Sequence, residues 1–381
     1  MIKVNEKNCT GCKACEAVCP QKCITVTENT NGFLVATVDQ TRCLNCERCD
    51  KVCPVNNAKY NEVIDVYAVY SKSDESYRSA SGGLFYELAK NFILNNGIAF
   101  GAAYTEKNWL KIVCVDSIND LSILQGTKYF QADTDGSYLK VKELLKEGKI
   151  VLYSGTPCQI AGLKNYIGKK DENLFTVEII CHGVPSPRMF HDYLEWMSKK
   201  HHKKIALYQF RTKKKKGRDF HCSVRYDDSS EEIISGFKDP FYKHFMNADV
   251  FRQVCYECPF SQEKRVADIT VGDFWNIEDV DVGFGLDKRV SVALINTEKG
   301  MTLWKNAVDN LVYIQTDMKI AIKGNSNLVN PTKKPQSYIP YGEIEDKYNF
   351  FETATKEKGN VKKEFFNMLP VKIRRSLKKI L

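Results

Sequence analysis

Two runs of cysteine constrain this chain more than any other feature. Cys9, Cys12, Cys15 and Cys19 are followed by Pro20, and Cys43, Cys46, Cys49 and Cys53 repeat the same spacing before Pro54. Three closely spaced thiolates wrap one face of an iron–sulfur cube, and in two-cluster arrangements the fourth ligand comes from the opposite run. The spacing predicts two 4Fe-4S sites, one held by Cys9, Cys12, Cys15 and Cys53, the other by Cys43, Cys46, Cys49 and Cys19. Each proline turns the chain away where a continuing helix would collide with the cluster. Zinc favours paired CxxC or CxxH units, which this triple spacing does not resemble. Between the runs, residues 24–27 and 33–38 flank Asn29-Thr30-Asn31-Gly32, the pattern of a hairpin turn. Cys23 fits neither set and is expected to be a free buried thiol.

Nine of the 15 cysteines fall in the first 53 of 381 residues. That break in composition marks residues 1–60 as a small two-cluster, ferredoxin-like domain. A reducing cytosol disfavours a disulfide framework, and an odd count leaves one thiol over. Hydrophobic residues make up 43% and charged residues 27%, a globular balance that excludes a disordered or fibrous chain. No apolar stretch approaches the ~20 residues of a membrane span. The first residues carry acid and base with no apolar segment behind them, unlike a secretory signal, so a soluble cytoplasmic protein is expected. The net charge is +9. The basic runs are not interleaved with aromatic residues, so no nucleic-acid partner is expected; the charge suits solubility and acidic partner proteins.

Residues 61–342 alternate strand and helix patterns. Strands are expected at 66–70, 98–104, 112–116, 150–154 and 175–181, and helices at 84–94, with Gly97 as a stop, and at 137–147, ending at Gly148. The fold class is α+β or α/β: the small N-terminal domain, then a larger α/β domain with a mixed sheet. Segments 205–210, 223–226 and 232–235 suggest a hairpin-rich insertion. Beside it, the run from Lys213 to Lys216 reads as a solvated loop, or as a docking site for an acidic electron carrier. Residues 343–381 read as a basic, helical C-terminal tail. Ile373, Leu377, Ile380 and Leu381 share one face of it, for packing on the body or for weak peripheral membrane contact.

Four further cysteines stand at suggestive places. Thr156 and Gln159 form a capping-box pattern with Pro157 at the first helical position, which puts Cys158 in a first turn, where the helix dipole favours thiolate. Cys181 ends a strand pattern ahead of Ser186-Pro187, a second helix start. Cysteines at the carboxyl ends of strands can meet in the ligand crevice of an α/β sheet, and Cys255-x2-Cys258-Pro259 would complete a set of four. The residues alone leave open a third thiolate site or separate buried thiols. Cys114 and Cys222 have no partner by spacing and read as structural.

The larger domain resembles the coenzyme F420 hydrogenase/dehydrogenase beta-subunit family. The resemblance is carried by Ser81-Gly82-Gly83, QGTKYFQ at 125–131, GTPCQIAGL at 155–163, CHGVPSP at 181–187, CYECPF at 255–260 and RVADITVGDFW at 265–275. Asn276 stands where the family often has glycine. The resemblance implies FAD and a third 4Fe-4S cluster beside it, on Cys158, Cys181, Cys255 and Cys258. It also implies exchange between one-electron carriers and a two-electron substrate. Against that background Ser81, Gly82 and Gly83 would cradle the FAD diphosphate with backbone amides, together with Gly155 and Thr156. Lys128 would stabilise reduced flavin near N1, and His182 would relay a proton. Arg265 and Asp273 would touch the flavin phosphates or polar head, or form internal ion pairs.

The expected function is that of a flavin-dependent iron–sulfur oxidoreductase. Its electrons would pass between a ferredoxin-like carrier or partner redox enzyme and an organic hydride acceptor, conceivably a sugar or glycan precursor. The alternatives are F420 as the substrate, or a non-catalytic electron-transfer subunit of a larger complex.

Overall fold

The repeated cysteine runs fold alike because each is hemmed by the same two devices. The computed structural model describes residues 5–105, 108–168, 171–213, 220–286 and 288–356, with Ile373 and Ser376 beyond them. Helices α1 (Ala14–Val18) and α2 (Arg48–Val52) each start from a left-handed residue, Lys13 at φ 60° and Glu47 at φ 57°. Each stops at an extended cysteine, Cys19 or Cys53. The proline after that cysteine disfavours helical backbone at the residue before it. Between the helices, β1 (Ile24–Glu28) pairs antiparallel with β2 (Leu34–Val38). The Asn29 carboxamide oxygen accepts from the amides of Asn31 and Phe33, and Gly32 takes a φ of +78° that favours glycine.

The larger region runs β3 (Asp65–Ser71), α3 (Leu84–Leu94), β4 (Ile98–Tyr104), β5 (Leu110–Val115), α4 (Ser137–Lys146), β6 (Val151–Gly155) and α5 (Pro157–Ile167). It continues through β7 (Leu174–Ile179), α6 (Pro187–His201), β8 (Ile205–Gln209), β9 (His221–Tyr226), β10 (Glu231–Ser235) and α7 (Pro240–Asn247). Then come β11 (Ile269–Asp273), β12 (Ser291–Ile295), α8 (Glu298–Ala307), β13 (Leu311–Thr316), α9 (Met318–Gly324) and α10 (Lys347–Lys356). Eight strands form one mixed sheet in the order β13-β3-β12-β11-β7-β6-β4-β5. The pairs β4/β6, β6/β7 and β7/β11 are parallel, and antiparallel strands flank them. The central strands are apolar on both faces, as parallel strands covered by helices must be; Val151, Leu152, Tyr153 and Val177 have no exposed surface. Strands β8, β9 and β10 make a separate antiparallel meander.

One face of the sheet is covered by α3 and α8, with Leu88, Ile269 and Trp304 in that core. The N-terminal region shares a second core with the body: Cys12, Ala14 and Val52 join Ile160, Leu163, Phe190 and Phe351 in it. Polar contacts reinforce the joint. Lys13 Nζ lies 2.8 Å from Asp133, Gln131 Nε2 donates to the Thr10 carbonyl, and Thr134 Oγ1 donates to the Cys12 carbonyl.

Two stretches differ from the expectation for them. Lys213 turns inward and donates to the Ser81 carbonyl at 2.9 Å, while Lys214, Lys215 and Lys216 lie outside the described residues. Helix α10 buries Phe351 and Ala354, so residues up to 356 pack on the body. The amphipathic face expected beyond them lies outside the described residues except for Ile373, which is exposed. No helix among the described residues is long and apolar enough to cross a membrane.

The start of α3 is packed against the sheet without slack. A Cβ added at Gly82 would sit 2.4 Å from the Val69 carbonyl and 2.8 Å from the Ser291 amide, both backbone atoms. Gly82→Ala should therefore destabilise the fold by about 1–3 kcal/mol. Urea denaturation of the variant beside the parent chain checks this; an unchanged midpoint would mean the backbone gives way freely.

Candidate functional site

Twelve of the cysteines gather in three places. Cys9, Cys12, Cys15 and Cys53 line one small hollow with Val26 and Ala36; this is the inner set. Cys19, Cys43, Cys46 and Cys49 line a second hollow, together with Cys23; this is the outer set. In the inner set Cys12, Cys15 and Cys53 are buried, whereas Cys46 of the outer set is exposed beside the exposed Leu44. Burial, with lesser contributions from the thiols of Cys9, Cys158 and Cys53, pushes the Cys12 thiol up to about 12. Crowded thiols deprived of water stay protonated until a cation replaces their protons. Cys23 is buried with its Sγ 3.4 Å from that of Cys19.

Among the described residues no three His, Cys, Asp or Glu side chains are disposed to hold a single metal ion. Sulfurs around one zinc lie about 2.3 Å from it. A four-iron cube spreads its thiolates further apart.

The third group opens on a cavity of about 690 Å³ at the carboxyl ends of β6, β7 and β11. Cys158 is the second residue of α5. The Thr156 amide donates to Gln159 Oε1 at 3.1 Å, one half of the predicted capping box, and Thr156 Oγ1 lies 3.2 Å from Cys158 Sγ. Cys181 follows β7. Cys255 sits in a 3-10 turn, and Cys258 ends that turn in extended backbone before Pro259, the device already met at Cys19 and Cys53. All four thiols line the cavity. Sequence reasoning expected the dipole of α5 to favour thiolate at Cys158. Burial outweighs it and pushes this thiol up to about 11 and that of Cys255 to about 12. Cys222 is buried in the core and Cys114 is exposed on the edge strand β5.

The other singled-out residues divide. Ser81, Gly83, Gly155, Thr156, Lys128 and His182 line the cavity, and so do Arg265 and Asp273. The Gly82 amide does not face a ligand: it donates to Ser291 Oγ at 2.9 Å. Arg265 takes the internal alternative. It is 2% exposed, its Nε donates to Glu178 Oε1 at 2.6 Å, and its Nη1 donates to the Phe260 and Gln262 carbonyls. Arg265 thus braces the turn that follows Cys258. Asp273 is ion-paired with Arg211. The Lys128 ammonium is turned away from the reach expected of it and donates to the Ala102 and Gln125 carbonyls at 2.8 and 2.9 Å. The surface of His182 is cavity wall; enclosure depresses its imidazolium, and its ring lies parallel to Phe245 at 6.4 Å.

Sequence reasoning missed Arg211. Its guanidinium stands 4.9 Å from the Phe220 ring centre and 5.6 Å from that of Trp275, and its Nε is buried without a hydrogen-bond partner among the described residues. Burial opposes its charge, but Asp273 beside it holds the charge in place. No spacing signal marks this residue, because it lies just past β8 in the stretch read as an insertion.

Residues 148–319 match the family model for the C terminus of the coenzyme F420 hydrogenase/dehydrogenase beta subunit, and residues 8–57 match that of the 4Fe-4S dicluster domain. The chain joins a dicluster domain to the beta-subunit family. No curated protein matches it. Among solved structures it is similar to a chain of the xenon-derivatized F420-reducing [NiFe] hydrogenase complex from Methanosarcina barkeri. The identity is 18% and the TM-score 0.45, with 71% of this chain and 91% of that chain covered. Membership in the beta-subunit family, with the dicluster match, makes this an iron–sulfur electron-transfer protein related to hydrogenase and dehydrogenase subunits.

Enclosure pushes the Lys128 and Lys213 ammonium groups down to about 7, against about 10.4 in an unfolded chain. From about pH 7 to pH 8 the unfolded chain then holds more protons at these positions than the folded one, so they make stability rise with pH. Urea denaturation across that window should show a shallower rise when both lysines are replaced by Met. A slope identical to the parent's would mean that neither lysine titrates there.

Proposed function

We propose that the chain is a flavin-dependent iron–sulfur oxidoreductase that carries electrons inward from an exposed outer site to an organic substrate in the central cavity. The observation that carries this reading is the placement of α5. Cys158 opens that helix on the cavity. One turn later Gly162 approaches the inner set so closely that an added Cβ would stand 3.0 Å from Cys12 Sγ. Four helical residues advance only about 6 Å, so one rigid element joins the two thiol groups.

The donor chemistry suits the groups proposed. Cys9, Cys12, Cys15 and Cys53 would hold one 4Fe-4S cluster, Cys19, Cys43, Cys46 and Cys49 a second, and Cys158, Cys181, Cys255 and Cys258 a third. The cavity is walled by Tyr129, Phe220, Tyr242, Phe245 and Trp275, flat apolar faces suited to planar rings. This is where FAD and a hydride acceptor would lie. When bound, clusters exchange single electrons, and flavin couples them to two-electron chemistry. The chain's own part is to exclude water with that aromatic wall, to offer the Arg211 guanidinium to developing negative charge, and to hold a proton on His182 beside the third thiol group. Exposure of Cys46 and Leu44 makes the outer set the point of entry for a ferredoxin-like carrier or partner redox enzyme. The family match favours F420, itself a planar hydride carrier, as one candidate acceptor.

Anaerobic purification with iron, sulfide and flavin analysis tests this reading. About 12 iron atoms and one FAD per chain are expected. Cys158→Ala should remove about four of those iron atoms and leave about eight. Parent protein with about eight iron atoms and no flavin would reduce the chain to a dicluster carrier with an unexplained second part.

A further inference from the structure

Arg252 stands between the inner set and the third thiol group. Its carbonyl accepts from the Cys255 amide at 2.9 Å, so its backbone belongs to the segment that presents Cys255 and Cys258. Its side chain crosses to the N-terminal region. There Nη1 donates to the Cys9 carbonyl at 2.8 Å, while Nη2 donates to the Leu34 carbonyl at 2.9 Å and to Gln131 Oε1 at 2.5 Å. The guanidinium also lies 4.7 Å from the centre of the Phe33 ring.

All these partners are neutral. The residue is 3% exposed, its Nε has no hydrogen-bond partner, and no carboxylate among the described residues pairs with it. The groups able to carry opposite charge near it are the thiols of Cys9 and Cys12 on one side and of Cys255 and Cys158 on the other. A buried cation with no counter-charge is strongly unfavourable. Thiolate-rich clusters on both sides would supply that counter-charge.

We propose that Arg252 is an electrostatic positioning residue shared by the inner and third cluster sites, tying the two together and raising the reduction potentials of both. The proposal rests on the reading that both sites hold 4Fe-4S clusters. Each one-electron reduction adds one negative charge to a site whose thiolates already make it anionic, and no proton moves with it. A fixed guanidinium on the border favours the extra electron on either side, so transfer between the sites stays nearly level. The outer set lies beyond its reach.

The test is a stepwise dithionite titration of the full-length, anaerobically purified chain, followed by low-temperature EPR. Parent protein comes first: absence of the third cluster from its iron count and spectra would remove the underlying reading, independently of Arg252. With three clusters present, Arg252→Met should shift the reduction equilibria of the inner and third clusters at least tenfold toward the oxidised form. That is about 59 mV for a one-electron couple. The outer cluster should not move, and Arg252→Lys should restore most of the loss. Gln131→Glu sets a carboxylate against the guanidinium without removing it, and should lower the same two potentials. Should Arg252→Met fail to assemble its clusters, Gln131→Glu decides alone. Unchanged inner and third potentials in the variants that assemble, or an equal shift of the outer one, would overturn the proposal.

Discussion

Burial of clustered thiols is the constraint on which the rest of the molecule depends. Water is withdrawn from Cys12, Cys158, Cys181 and Cys255, and each thiol is pushed above its ordinary pKa, mainly by that burial. Such groups do not stabilise a fold by themselves. They become favourable once iron takes the place of their protons. The surrounding elements therefore serve two needs: they hold the sulfurs in sets, and they provide backbone turns that do not intrude. The recurrence of an extended cysteine before proline, at Cys19, Cys53 and Cys258, shows one local solution used three times.

Much of this was legible in the residues. The helix at 84–94 and the strand at 98–104 lie where their apolar periodicity and Gly97 place them. The eight-stranded mixed sheet follows from alternation of strand and helix patterns. Cysteine spacing marks the outer and inner groups because their ligands are local in sequence. The third group draws on three separate segments, from Cys158 to Cys258, and only the fold brings these together.

What stayed hidden has a common physical origin. Whether a charged side chain meets a ligand or another side chain depends on neighbours distant in sequence. Arg265 finds Glu178 across 87 positions, and Asp273 finds Arg211 across 62. A lysine in a basic run ordinarily faces water, yet Lys213 reaches the Ser81 carbonyl, 132 positions away. Arg252 had no motif at all. Its significance comes from lying where two regions meet.

The shared core between the N-terminal region and the body bears on how current would flow through this molecule. Ala14 and Val52 are embedded with Ile160 and Leu163, and Lys13 is anchored to Asp133. A carrier module on a flexible leash delivers charge by searching, so leash length and solvent viscosity govern its throughput. Here the module is soldered in place. Collisional encounter is confined to the outermost contact, and everything downstream is conduction through a fixed solid.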